Sequence, residues 1–156
     1  MLRWELGSAI ILWGNSPSAK EVLLRQKRVI RSMLGLHPTD SCRPWFKSLK
    51  ILTVPSLFIF EVCVYIFKYK HVFQLNSDVH DVNTRNRSHF NVGFARLSIT
   101  RNLPRYIGLI VFNCLPETIK NHSTLNSFKT NLKSFLMDNT LYSLDEFYAR
   151  CTSCSG

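Results

Sequence analysis

Residues Val54 to Phe67 are almost wholly apolar, interrupted only by Pro55, Ser56 and Glu61, and this run constrains the fold more than any other feature. Its 14 residues fall short of the roughly 20 needed to cross a bilayer, and Glu61 sits in its middle, so it reads as a buried helix rather than a membrane span. A helix apolar on every side must be covered on every side. The rest of the chain therefore has to supply that cover, and at 156 residues with 46% hydrophobic content it has the material to do so.

Cover is predicted from several amphipathic segments. After Ser16-Pro17-Ser18, with a serine as cap, helical spacing continues until Gly35 stops it. One arc of that helix carries Ala19, Val22, Leu23, Gln26, Val29, Ile30, Met33 and Leu34, and the other Lys20, Arg25, Lys27, Arg28 and Arg31. Burial is expected on the Val22, Val29, Ile30 and Met33 side. Ser41 is placed to cap a short helix through Phe46 and Leu49, and Thr53 with Pro55 opens the apolar helix. Pro104 to Leu115 repeats at helical spacing, Thr124 caps a helix with Leu125, Phe128, Leu132, Phe135 and Leu136, and Ser143 with Glu146 forms a capping box. Between them, Gln74 to Asn91 turns rich in Asn, Asp, Ser, His and Arg, which favour loops. That shift divides the chain into 1–73 and 74–156, or marks a long loop in one continuous domain. Partial alternation over Phe90 to Thr100 predicts a small β-hairpin, so the expected class is mainly α, a helical domain with a small β-hairpin element.

Lys and Arg number 20 against 10 Asp and Glu, a formal charge of +10 that points to a polyanionic partner, RNA or DNA. On the first amphipathic helix Lys20, Lys27 and Arg31 fall within about 40° of one another, so one backbone could meet all three. Lys20, Lys27, Arg28 and Arg31 are therefore the candidate phosphate contacts, with Arg85 and Arg87 of the Asn83-Thr84-Arg85-Asn86-Arg87 segment as a second contact. A capped turn with Arg85 tied to a helix end is the structural alternative for that segment, and a solvated face is the alternative for the helix.

Several blocks, in order, resemble the region downstream of the polymerase core in jockey-like non-LTR (LINE-type) retrotransposon reverse transcriptases. They are Ile10-Ile11-Leu12-Trp13-Gly14-Asn15-Ser16, Gln26-Lys27-Arg28-Val29-Ile30-Arg31, Ser41-Cys42-Arg43-Pro44-Trp45-Phe46 and Leu49 to Leu57. Then come His80 to Asn86, Phe112-Asn113-Cys114-Leu115-Pro116, Ile119-Lys120, and the tail from Phe128-Lys129 to Tyr142-Ser143. Each block is weak alone; their shared order over nearly the whole chain is specific. Ser8-Ala9 stand where the family carries Tyr-Gly, and Val82 where it carries an aromatic residue. The resemblance implies a truncated part of an RNA-directed DNA polymerase that helps hold RNA template or target DNA, or that docks on the missing polymerase core or a host protein.

Catalysis is not expected from this chain alone. Polymerases of this class hold two metals on carboxylates that include an adjacent Asp pair. Here Asp40, Asp78, Asp81, Asp138 and Asp145 are scattered, and neither palm nor endonuclease is present. No cofactor or metal is implied: Cys151-x-x-Cys154 lacks a second ligand pair, and His71, His80 and His89 recur every nine residues, which suits neither a helix face nor a strand. A triad of Cys42 or Ser41 with a histidine has no supporting motif. Five cysteines at irregular spacing read as thiols of a reducing compartment, cytoplasm or nucleus, and Glu5 breaks the pattern of a signal peptide.

Overall fold

In the computed structural model the chain is mainly α, and the structure describes residues 9–79 and 87–153. A helical segment over residues 9–13 turns into α1 (Ser18–Leu34), followed by α2 (Arg43–Ser48), α3 (Val54–Lys68), a 3-10 turn (Lys70–Val72) and α4 (Asn76–Val79). Beyond the loop come α5 (Ser98–Arg101), α6 (Pro104–Asn113), α7 (Glu117–Lys120), α8 (Leu125–Asn139) and α9 (Leu144–Ser153).

The apolar run is α3, as its composition demands. Thr53 caps it, its hydroxyl accepting from the Ser56 N–H at 3.3 Å while donating to the Leu141 carbonyl. Phe58, Ile59, Val62, Cys63 and Ile66 are fully enclosed. α6 and α8 supply most of the cover and α1 a further side, so residues on both sides of position 74 share one core. Half-buried Glu61 adjusts to this setting: burial pushes its carboxyl up, against the lowering charge of Lys129. At one end of the core a chain of rings runs Phe67, Phe128, Phe112, Phe90, Phe73, with centroid separations from 4.3 to 5.9 Å.

α1 packs through a narrower stripe than its pattern predicts. Ala19, Leu23 and Ile30 are buried, whereas Val22, Val29 and Met33 are exposed at 38%, 57% and 67%. The physical reason is a two-point anchor at Gln26. Its amide donates to the Leu52 carbonyl at 2.8 Å and accepts from the Val54 N–H at 3.2 Å, which fixes the helix's rotation at the entrance to α3. With Gln26 held there, the Val22–Val29–Met33 edge is carried past the contact. Nor does a serine side chain cap α1: Pro17 is already helical, and backbone turns from Ser16 and Pro17 take up the Ala19 and Lys20 N–H groups. Gly35, at φ 62°, ends the helix by adopting the left-handed conformation expected of a stop.

The expected hairpin is not formed among the described residues. Phe90 instead makes a single antiparallel bridge to Leu75, and both of its backbone groups bond the side chain of Asn113, N–H to Oδ1 and C=O from Nδ2, each at 2.9 Å. That amide does the work of a second strand. Gly93, at φ 58° with its N–H on Asn91 Oδ1, then breaks the alternation, and Ser98–Arg101 is helical. The His80 to Asn86 block lies outside the described residues.

Two outcomes test this packing. Ile30→Ala should cost about 2–5 kcal/mol in urea unfolding while Met33→Ala stays within about 0.5 kcal/mol; equal losses would restore the broader apolar face. Gly108 lies where α6 crosses α3, and a Cβ there would stand 2.9 Å from Val62 Cγ1 and 3.0 Å from Ile66 Cγ1. Alanine gains about 1 kcal/mol of helix propensity, but overpacking costs about 1–3 kcal/mol, so Gly108→Ala should lower stability. A more stable variant would mean that the two helices part without cost.

Candidate nucleic-acid interface

The cations of α1 divide into two groups once the helix is rotated by Gln26. Lys20, Arg25 and Arg28 are exposed, and among the described residues none of them is in an ion pair. Lys27 and Arg31 turn toward the chain's own far end. The Lys27 ammonium sits 3.6 Å from the centroid of the Tyr142 ring, and Arg31 donates to the Asp40 carbonyl from Nε at 3.3 Å and Nη2 at 3.0 Å. Arg43 joins them, its guanidinium 4.2 Å from the same ring centroid while donating to Glu146 Oε1 at 2.6 Å and the Thr140 carbonyl at 3.1 Å.

Local sequence explains how these groups meet. Cys42, buried at the start of α2, directs its thiol to the Lys27 carbonyl at 3.7 Å and sets α2 against α1. Thr140 ends α8 at φ 39°, in the left-handed region, and the next residues turn Tyr142 back over α1. The capping box forms with a variation: Ser143 Oγ accepts the Glu146 N–H, and Glu146 Oε2 accepts from the N–H of Tyr142 rather than of Ser143. Glu146 is thereby shared between the helix start and Arg43.

Electrostatics follow from this crowding. Burial lowers the Lys27 ammonium below its ordinary value, with Arg31 and Arg43 adding and Cys42 and Glu146 opposing. For Glu146 burial acts upward, but the Arg43 and Tyr142 hydrogen bonds and the charges of Arg43 and Arg150 together hold its carboxyl below the usual range. Burial pushes the Tyr142 phenol up.

Of the residues expected to meet phosphate, the structure thus leaves Lys20 and Arg28 outward and draws Lys27 and Arg31 into an internal joint. Arg87 is exposed in the loop after α4, where its carbonyl accepts from the Ser77 N–H at 3.2 Å. No hydrogen bond, ion pair or ring contact among the described residues ties it to the α1 cations; Arg85 lies outside the described residues. Arg43 and Tyr142 were missed by sequence reasoning because they meet only across about a hundred residues of chain. Both do fall inside resemblance blocks, which is the one signal that could have raised them.

Among the described residues no three His, Cys, Asp or Glu side chains converge as metal ligands would. Cys154 and His80 lie outside them; His71 is exposed, and burial lowers His89, with Lys120 adding and Glu117 opposing. Among the described residues no helix is long and apolar enough to cross a membrane. In comparison with known proteins, no family model, no curated protein and no solved structure matches the chain.

The joint carries a pH signature. Because the Glu146 carboxyl is depressed in the fold, the stability it contributes is complete above its unfolded value, near 4.5, and is lost as pH falls through its folded value. Glu146→Gln should therefore be less stable than the parent at neutral pH, with the gap narrowing below pH 4.5. A gap of constant size across that range, measured by thermal melts, would show that the charge of Glu146 contributes nothing.

Proposed function

We propose that this chain is a C-terminal part of a jockey-like non-LTR retrotransposon reverse transcriptase, non-catalytic by itself, which contacts RNA template or target DNA through the outer face of α1. The observation that carries the nucleic-acid reading is the exposure of Lys20, Arg25 and Arg28 on a helix whose inner face is fixed to the core. Carboxylates that could neutralise them are engaged elsewhere, Glu146 with Arg43, Asp138 with Lys47 and Glu117 with Lys120. Lysine and arginine on a rigid helix suit phosphate contact, which positions a strand without reading its sequence. Lys27 and Arg31 border this face, and Arg87 adds a cation in the loop after α4. The ordered blocks described above support the family assignment, and the scattered aspartates support a role apart from the chemistry.

A second reading rests on the uncovered Val22–Val29–Met33 edge, which suits docking on the polymerase core. Salt separates the two, since phosphate contacts release counterions and apolar docking does not. With single-stranded RNA, binding should weaken steeply with salt. Changing Lys20, Arg25 and Arg28 together to Ala should flatten the log-affinity against log-salt slope by roughly two units, at about 0.7 per lost contact. Identical slopes in parent and triple variant would leave docking as the surviving reading.

A further inference from the structure

Three thiols gather where α6 ends against α9, and they differ sharply in setting. Cys63 of α3 is completely enclosed, and burial, with Cys114 adding, pushes its thiol up. Cys114 closes α6, its N–H bonded to the Ile110 carbonyl, and is only half-buried. Cys151 lies on α9 four residues after buried Phe147 and three after Tyr148, on the inward side of that helix, and is also half-buried against the core. The side chains of Cys114 and Cys151 are in hydrogen-bond contact. That bond is the main cause lowering Cys114 to about 7, against a raising effect of burial and with the charge of Lys120 adding. Lys120 is held close by its own bond to the Asn113 carbonyl at 3.3 Å.

We propose that Cys114 and Cys151 are a reversible disulfide pair, a modification site that takes a hydroperoxide as oxidant and clamps α9 to the end of α6. The two sulfurs already face one another, so bond formation requires closing a contact rather than moving a helix. Cys114 is the attacking thiol because it is half-exposed and has a hydrogen-bond donor and a cation beside it, as reactive thiolates do. With hydrogen peroxide, the Cys114 thiolate attacks one oxygen and the O–O bond breaks. Cys114 becomes a sulfenic acid, and the departing hydroxide takes up a proton to leave as water. Cys151 then gives up its proton and attacks the Cys114 sulfur, and the S–O bond breaks to release a second water. Two thiols lose two electrons in total, and the peroxide gains them. Cys63 stays out of the exchange because it is enclosed and held as a thiol.

The test uses the whole chain, folded, at neutral pH, treated with hydrogen peroxide, alkylated, digested and mapped by mass spectrometry. The expected product is a single intramolecular cross-link joining the Cys114 and Cys151 peptides, lighter by two hydrogen atoms, with Cys42 and Cys63 alkylated only after unfolding. The oxidised protein should melt at a higher temperature, and dithiothreitol should reverse both changes. In Cys151→Ser, which keeps a hydrogen-bond donor, Cys114 should instead be trapped as a sulfenic acid by dimedone. Absence of a cross-link, pairing of either residue with Cys63 or Cys154, linkage only between molecules, or an unchanged melt would each overturn the proposal.

Discussion

Everything in this fold answers to the need to cover α3. A helix whose residues are apolar around its whole circumference has no side it can show to water, so its neighbours are selected by what they can lay against it. α6 comes closest because Gly108 removes the side chain that would hold it away from Val62 and Ile66. α8 brings Phe128 to stack on Phe67 at 4.3 Å, together with Leu132 and Leu136, and α1 closes a further side with Ala19, Leu23 and Ile30. The Thr53 hydroxyl ties the first turn of α3 to the carbonyl of Leu141, so the helix's start also fixes where the chain turns after α8. From that turn the path of Tyr142 over α1 follows.

Residues that signal through their immediate neighbours were legible in the sequence. Thr53 and Thr124 cap the helices they were expected to cap, and Ser143 with Glu146 forms its box, because each needs only backbone groups within three or four residues. The rotation of α1 was not legible. Gln26 stood inside the apolar arc as an apparent blemish, yet its amide sets which edge is buried by bonding Leu52 and Val54, residues of a different segment. The same limit applies to Phe90: its alternating neighbourhood suggested a second strand, and the partner turned out to be the amide of Asn113. A side chain that imitates a strand leaves no periodicity to read.

The candidate site shows this division most clearly. Helical geometry placed Lys27 beside Arg31, and that adjacency holds, but periodicity is silent on whether solvent or protein lies opposite. What lies opposite is Tyr142, with Arg43 against the same ring and Glu146 bridging Arg43 to the start of α9. Lys20 and Arg28 stayed outward because no later segment of the described chain was brought over them.

Three cations close to a single carboxylate would repel one another unless their charge were taken up nearby. Here it is distributed over the face of an aromatic ring, the carbonyls of Asp40 and Thr140, and one carboxylate, none of which except Glu146 carries a formal negative charge. Dipoles and a ring quadrupole stabilise the cations without cancelling them, so the joint remains net positive toward its surroundings. Unit charges about 8 Å apart at an effective dielectric near 20 still interact by about 2 kcal/mol, enough for the joint to reinforce the potential felt at Lys20 and Arg28. Lys27 and Arg31 can therefore favour a bound phosphate through their field while their own hydrogen bonds stay within the protein. A polyanion arriving at α1 meets a surface that the core has already set in place and that the joint has already charged.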